Sequence, residues 1–278
     1  MEYLENAFKF WGRHKLLIVP LFILICIMVF MGSPALNEIS SVLNDMAEFG
    51  KETGVEDNVD LYGELVKIAP NTISLAYVVL LGLLLGIFIL PATYGMIIKG
   101  YETGTTSLGS FFTSLKKYFA KFIPYFFGVL LFMAAVIVIY FLILIIFPFI
   151  YALSWQLGLV VFAGIIIASV IIVCLMFNVL NVWFIAVAWD GMKIFEGFFK
   201  AFELLKSYFW SSIGIAFSMG FLYVTIIALI GGALESIFVV SCIVRSFLLS
   251  IFAFVLMVFG FELYRDRTDK KTALEDYL

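Results

Sequence analysis

Ionisable side chains are scarce in this sequence. Only 13% of its 278 residues are Asp, Glu, Lys or Arg, against 64% that are apolar, and the mean hydropathy is +1.14. Soluble domains carry about twice that share of charge, so a soluble globular chain is excluded. The few charges sit in the gaps between six apolar runs: Leu16–Met31, Thr72–Ile98, Phe122–Leu153, Leu157–Ala188, Ser211–Leu234 and Ser246–Tyr264. A helix needs about 20 predominantly apolar residues to cross a bilayer's hydrocarbon core. The expected fold is an all-α integral membrane protein with six transmembrane helices arranged as three hairpins.

Reactive chemistry is equally thin. The three cysteines, Cys26, Cys174 and Cys242, each fall in or beside a different run. An odd count without a pairing motif reads as buried free thiols, with no disulfide framework and no metal cage. The one histidine, His14, stands between Arg13 and Lys15 at a run's edge, with no carboxylate or nucleophile at motif spacing. No phosphate-binding loop and no HExxH motif occurs. No catalytic residue, cofactor or metal is therefore expected, and the chain reads as no enzyme. A nucleic-acid partner is not expected either.

Charge is also missing from the interiors of the runs. Ion-coupled transporters hold their ions on intramembrane Asp, Glu, Lys or Arg. Here Asp190 and Glu262 stand at run ends, and Glu235 and Arg245 bracket the last turn, where long side chains can reach the interface. The polar signal inside the runs is Asn178 with Asn181, three apart on one face of the fourth. They read as interhelical hydrogen-bonding groups, with a polar lining for a permeation path as the alternative. Gly82 and Gly86 have the small-xxx-small spacing that lets helices approach closely.

What charge there is decides orientation. Of 17 Lys and Arg, all but Lys51, Lys67 and Arg245 lie in the N-terminal segment, the gaps after the second and fourth runs, and the tail. Positive charge marks the cytoplasmic side, so both termini are expected in the cytoplasm of a multi-pass plasma-membrane protein. Residues 32–71 then form an acidic outer loop, with Glu38, Asp45, Glu48, Glu52, Glu56, Asp57, Asp60 and Glu64. Leu36, Ile39, Leu43, Met46 and Phe49 recur there at helical spacing, and Leu61, Leu65 and Ile68 restart the pattern before Pro70. Two short helices are expected in this loop, capping the bundle or docking an extracytoplasmic protein partner. The third and fourth runs exceed the length a bilayer requires, so bends at Pro124 and Pro148 or a projecting hairpin are expected.

Segments rich in aromatics and lysines precede runs one, three and five, and each is expected to be an interfacial amphipathic helix in contact with membrane lipids. Lys116, Lys117, Lys200, Lys206 and Trp210 are the candidate lipid-contacting residues, while Phe112, Phe199 and Phe202 are expected to face bilayer or bundle.

The last of these segments, Glu196-Gly197-Phe198-Phe199-Lys200-Ala201-Phe202-Glu203-Leu204-Leu205-Lys206-Ser207-Tyr208-Phe209-Trp210, resembles the cytoplasmic signature of the six-span membrane domain found in some bacterial glycerophosphoryl diester phosphodiesterases and in free-standing relatives. It departs from that signature at Gly197, where Ala is usual, at Ala201, where Ser is usual, and at Ala188-Trp189, where a proline tends to close the preceding span. A catalytic barrel takes about 250 residues, and nothing in the 278 resembles one. The resemblance thus implies a membrane module rather than an activity: a lipid-interacting or complex-organising module, or else a permease or exporter subunit for an apolar or lipid-like substrate.

The charge asymmetry has a direct test. With single cysteines introduced into intact cells, an impermeant thiol reagent should label positions 48 and 156 and leave positions 105 and 200 unmodified. Outside labelling at 200 would overturn the orientation.

Overall fold

The computed structural model describes residues 2–52, 61–153, 155–234 and 237–270. Eight α-helices account for nearly all of them, and no strand occurs among the described residues: α1 (Glu2–Arg13), α2 (Val19–Glu52), α3 (Leu61–Thr103), α4 (Phe111–Leu153), α5 (Trp155–Trp189), α6 (Ile194–Ser207), α7 (Phe209–Leu234) and α8 (Phe238–Arg267). Six of them, α2 to α5 with α7 and α8, contain stretches long and apolar enough to cross a membrane. The chain is a multi-pass, all-α membrane protein. In hydrocarbon every backbone N–H and C=O must be paired within the segment, which leaves the helix as the one solution for runs like these.

Antiparallel α2/α3, α4/α5 and α7/α8 form the three hairpins. Helices α2, α3, α4, α5 and α8 pack in that order around a ring, with α8 closing on α2, and α7 fits the angle between α5 and α8. The connections from α3 to α4 and from α5 to α6 are tight. Gly104 ends α3 at φ 72°, a left-handed conformation in which its N–H reaches the Gly100 carbonyl at 3.0 Å. Gly191, at φ 70°, turns α5 into α6 in the same region of conformational space.

Packing is concentrated at one end. The largest fully buried side chains, Phe10, Leu17, Met96, Tyr101, Phe184, Phe254, Phe259 and Tyr264 among them, cluster where α1 packs against the end of α8, an end called the base below. Away from the base, no described residue of α4 between Phe126 and Ile143 is buried, nor any of α5 between Leu157 and Phe177. In water such apolar surface would be intolerable, whereas in a bilayer it faces acyl chains as apolar as itself. Helices α2, α3 and α8 stay packed further out by means of small residues: Gly32, Ser33 and Ala35 on α2, Gly82 and Gly86 on α3, and Ser241, Cys242, Ser246 and Ser250 on α8 are all buried. Two of the α8 serines donate to carbonyls of their own helix, Ser246 to Cys242 at 2.6 Å and Ser250 to Ser246 at 2.5 Å. Their polarity is therefore satisfied without widening the seam.

Two expectations need correction. The outer segment 32–71 does not fold as two separate short helices: Gly32–Pro34 lies inside α2, which runs on to Glu52, and Pro70 lies inside α3, which already begins at Leu61. A proline inside a membrane helix is tolerated because neighbouring groups re-satisfy the freed carbonyl. Residues 53–60 lie outside the described residues. Second, the segment before span three is helical from Phe111, as expected, but is not a helix of its own: after a 3-10 turn (Leu108–Ser110) it runs straight into the span within α4, whereas the first and third interfacial segments, α1 and α6, are separate helices. No break separates Phe111 from Phe122, so the amphipathic stretch and the span share one axis. Helix α4 runs through Pro124 and Pro148 for 43 residues, about 65 Å against a hydrocarbon core of about 30 Å.

Close packing of α3 on α4 at the base rests on Gly95. A Cβ there would lie 2.5 Å from the Tyr118 ring and 2.7 Å from Ser114 Cβ, whereas one at Gly164 would meet nothing within 4 Å. Gly95→Leu should lower stability by about 1–3 kcal/mol through overpacking, read as a drop in thermal unfolding temperature, and Gly164→Leu should leave it unchanged.

Candidate functional site

The base is built around a carboxylate. Glu262, near the end of α8, is fully buried. Its Oε1 accepts the Tyr101 hydroxyl of α3 at 2.6 Å, and its Oε2 lies 2.9 Å from the Arg265 guanidinium one turn on. The Asn6 side chain of α1 lies beside the same carboxylate and favours its charged form. Tyr101 in turn is sandwiched by rings, Phe10 stacked on it at 5.0 Å and Phe261 at 5.6 Å. Three helices distant in sequence are thereby joined at one buried charge.

Two further clasps surround it. Asp190, just past α5, accepts from Tyr264 and pairs with Lys270, whose ammonium also lies over the Trp189 ring at 4.4 Å. Tyr3 of α1 donates to Asp266 at 2.6 Å and meets the Tyr208 hydroxyl at 2.9 Å, while Arg267 caps the Tyr208 ring at 4.5 Å. Burial, and then the hydrogen bond to the Asp266 carboxylate, hold the Tyr3 phenol well above its ordinary value, so it stays a donor. Residues read from the sequence as marking span ends thus form the hub of the base. The signal was present as Glu262 and Arg265 at i,i+3 spacing, but their partners Asn6 and Tyr101 are remote in sequence.

Beyond the base, the five ring helices enclose an apolar cleft of about 340 Å³. Leu24 and Met28 of α2, Leu83 of α3, Phe126 of α4, Phe177 of α5 and Met257 of α8 contribute to its walls. Val79 and Leu83 at its edge are also exposed to the surroundings. Gly82 and Gly86 belong to this wall, and a Cβ at Gly82 would fall 2.6 Å from the Met28 sulfur. The glycine pair read from the sequence as a packing motif therefore also shapes the cleft.

Polarity enters the cleft at Tyr94 and Asn181. Tyr94 donates to Asn181 Oδ1 at 2.8 Å, and Asn181 Nδ2 donates to the Leu256 and Met257 carbonyls of α8 at 2.9 and 3.2 Å. Gly260 makes that approach possible, since a Cβ there would sit 2.2 Å from Asn181 Nδ2. Asn178 points elsewhere, donating to the Cys174 carbonyl at 2.8 Å and to the Ser212 carbonyl of α7 at 3.3 Å. The structure places the two amides on adjacent helix contacts, and only Asn181 reaches the cleft.

The candidate lipid-contacting residues do not form one site. Lys116, Lys117, Lys206 and Trp210 are exposed, as are Phe112, Phe199 and Phe202. Lys200 instead pairs with Glu203 at 3.1 Å and is half-buried, and Lys117 lies 5.1 Å from the Tyr118 ring centroid. Glu235 lies outside the described residues. No cluster of His, Cys, Asp or Glu fit to hold a metal occurs among the described residues.

Comparison with models of known protein families, with characterised proteins and with solved structures finds no match.

Removing one partner from a buried charge pair leaves the other uncompensated, at about 3–5 kcal/mol. Glu262→Ala should therefore destabilise the protein by roughly that amount and free α1 from α8. Glu262→Gln, which still accepts from Tyr101, should fall between that variant and wild type. Thermal unfolding gives the first result, and protease sensitivity of the N-terminal segment gives the second.

Proposed function

We propose that the protein is a non-catalytic, lipid-interacting module of the plasma membrane, with both termini in the cytoplasm, whose cleft takes the acyl chain of a membrane lipid. The cleft itself carries this reading. Its volume lies within the range of small-molecule sites, its lining is almost wholly apolar, and its lining residues lie on the membrane-crossing helices. What surrounds those helices is acyl chain. Kinship with the phosphodiesterase-associated membrane domains belongs to the same proposal and rests on Glu196–Trp210 alone.

The polar groups of the interior support an organising role over a transporting one. Asn178 and Asn181 donate to backbone carbonyls of their own and neighbouring helices. Such bonds contribute about 0.6 kcal/mol each, enough to fix helix positions. A second reading, a permease or exporter subunit for a lipid-like substrate, draws on one observation: the cleft lies within the helix ring, not on its rim.

Gly86 lines the cleft, and a Cβ there would make only ordinary contact with Leu90 at 3.5 Å. Gly86→Leu should fold normally and fill the space. Native mass spectrometry after mild extraction should show a retained lipid on the wild type and little or none on the variant. Equal retention by both would overturn the cleft as the lipid site. Rapid modification of Asn178→Cys by an impermeant thiol reagent would favour the permease instead.

A further inference from the structure

The polar groups of the cleft are committed in one direction. Tyr94, Tyr125 and Asn181 all line it, each more than nine-tenths buried, and no charged side chain occurs among the described residues of its walls. Asn181 Nδ2 faces the Leu256 and Met257 carbonyls, which only accept, so the amide oxygen is left to take the Tyr94 hydrogen at 2.8 Å. Tyr125 gives its hydrogen to the Leu180 carbonyl, also at 2.8 Å. The phenol and amide hydrogens are therefore all engaged within the protein. Lone pairs are what these three residues have left to offer a ligand.

These acceptors lie deep. All three residues fall within membrane-crossing stretches, and Asn181 stands about 12 Å along the helix axis from the end of α5 at Trp189. From Tyr94 the apolar wall follows α3 for about 22 Å to Val79, which is exposed to the surroundings. A phospholipid keeps its headgroup at the bilayer surface and would bring only methyl ends to the lone pairs. A carboxylate would add further lone pairs and a charge, and an ammonium a charge whose burial is costly. A neutral hydroxyl supplies the missing donor without charge. We infer that the cleft selects a lipid alcohol, a long apolar chain ending in one uncharged hydroxyl. The hydroxyl donates to the acceptor group at Tyr94, Tyr125 and Asn181, and the chain follows the wall out past Leu83 and Val79. This inference rests on reading the cleft as a lipid site and concerns what that site prefers.

The full chain in detergent micelles can be titrated with tritiated oleyl alcohol, and the label then displaced with unlabelled oleyl alcohol, its methyl ether or dioleoyl phosphatidylcholine. The ether keeps the chain and the oxygen and lacks only the hydrogen to donate. The alcohol should bind about tenfold more tightly than the ether, the effect of about one buried hydrogen bond, and phosphatidylcholine should displace the label least. Tyr94→Phe, Tyr125→Phe and Asn181→Leu together remove all three acceptors. The carbonyls they leave keep their own helical bonds, and no side chain is stranded without its partner, so the fold should persist. In this triple variant ether binding should be unchanged and the preference for the alcohol should fall to within about twofold. Equal displacement by alcohol and ether on the wild type would overturn the selection while leaving the cleft as a lipid site, and that comparison needs no variant. A preference that persists in the triple variant would overturn the assignment to these groups. Alcohol binding that survives Gly86→Leu would place the ligand outside the cleft and overturn the inference.

Discussion

The structure depends on a buried charge at the base. Glu262 draws together α1 through Asn6, α3 through Tyr101 and its own helix through Arg265. Desolvating a carboxylate costs several kcal/mol and is repaid only by well-placed partners. Those partners can be in place only if α1, α3 and α8 meet in one arrangement, so the site works as a specificity device for the fold. Aromatic packing of Tyr101 between Phe10 and Phe261 excludes water from it and completes the constraint.

The rest of the molecule follows from that concentration of contacts. Interhelical association in a bilayer gains little from hydrophobicity, because lipid tails are as apolar as the helices. Where polar groups and small residues supply a specific attraction, at the base and along the α8 seam, the helices are closely packed. Where they do not, on the outer parts of α4, α5 and α7, apolar side chains remain exposed. The cleft occupies the region between these regimes. Asn181 marks its inner limit, tied to α3 and α8 at a point where Gly260 allows side chain and helix to meet.

A lipid-facing role is compatible with both features. On the proposed reading, the closely packed base holds the helices in place while the cleft walls, on the membrane-crossing helices, accommodate acyl chains. No reaction chemistry is needed for either, and the interior amides act on neighbouring backbone rather than on a solvent-filled path.

How much of this was legible in the sequence differs by level. Apolar run length and the distribution of charge determined that there are six membrane-crossing helices, because a bilayer imposes helical hydrogen bonding on any such run. The aromatic and lysine periodicity likewise marked α1 and α6. Helix ends were less legible: Pro34 and Pro70 look like terminators by the rules of water-soluble chains, yet both lie within continuous helices. The candidate sites were legible only as fragments. Asn181 was visible, but not its partner Tyr94 or the Gly260 gap that admits it. Glu262 was visible at a span end, but not its burial. The cleft is a space between segments far apart in the chain. Its existence was decided by how those helices pack, since a cavity is a property of several surfaces at once and has no local pattern of its own.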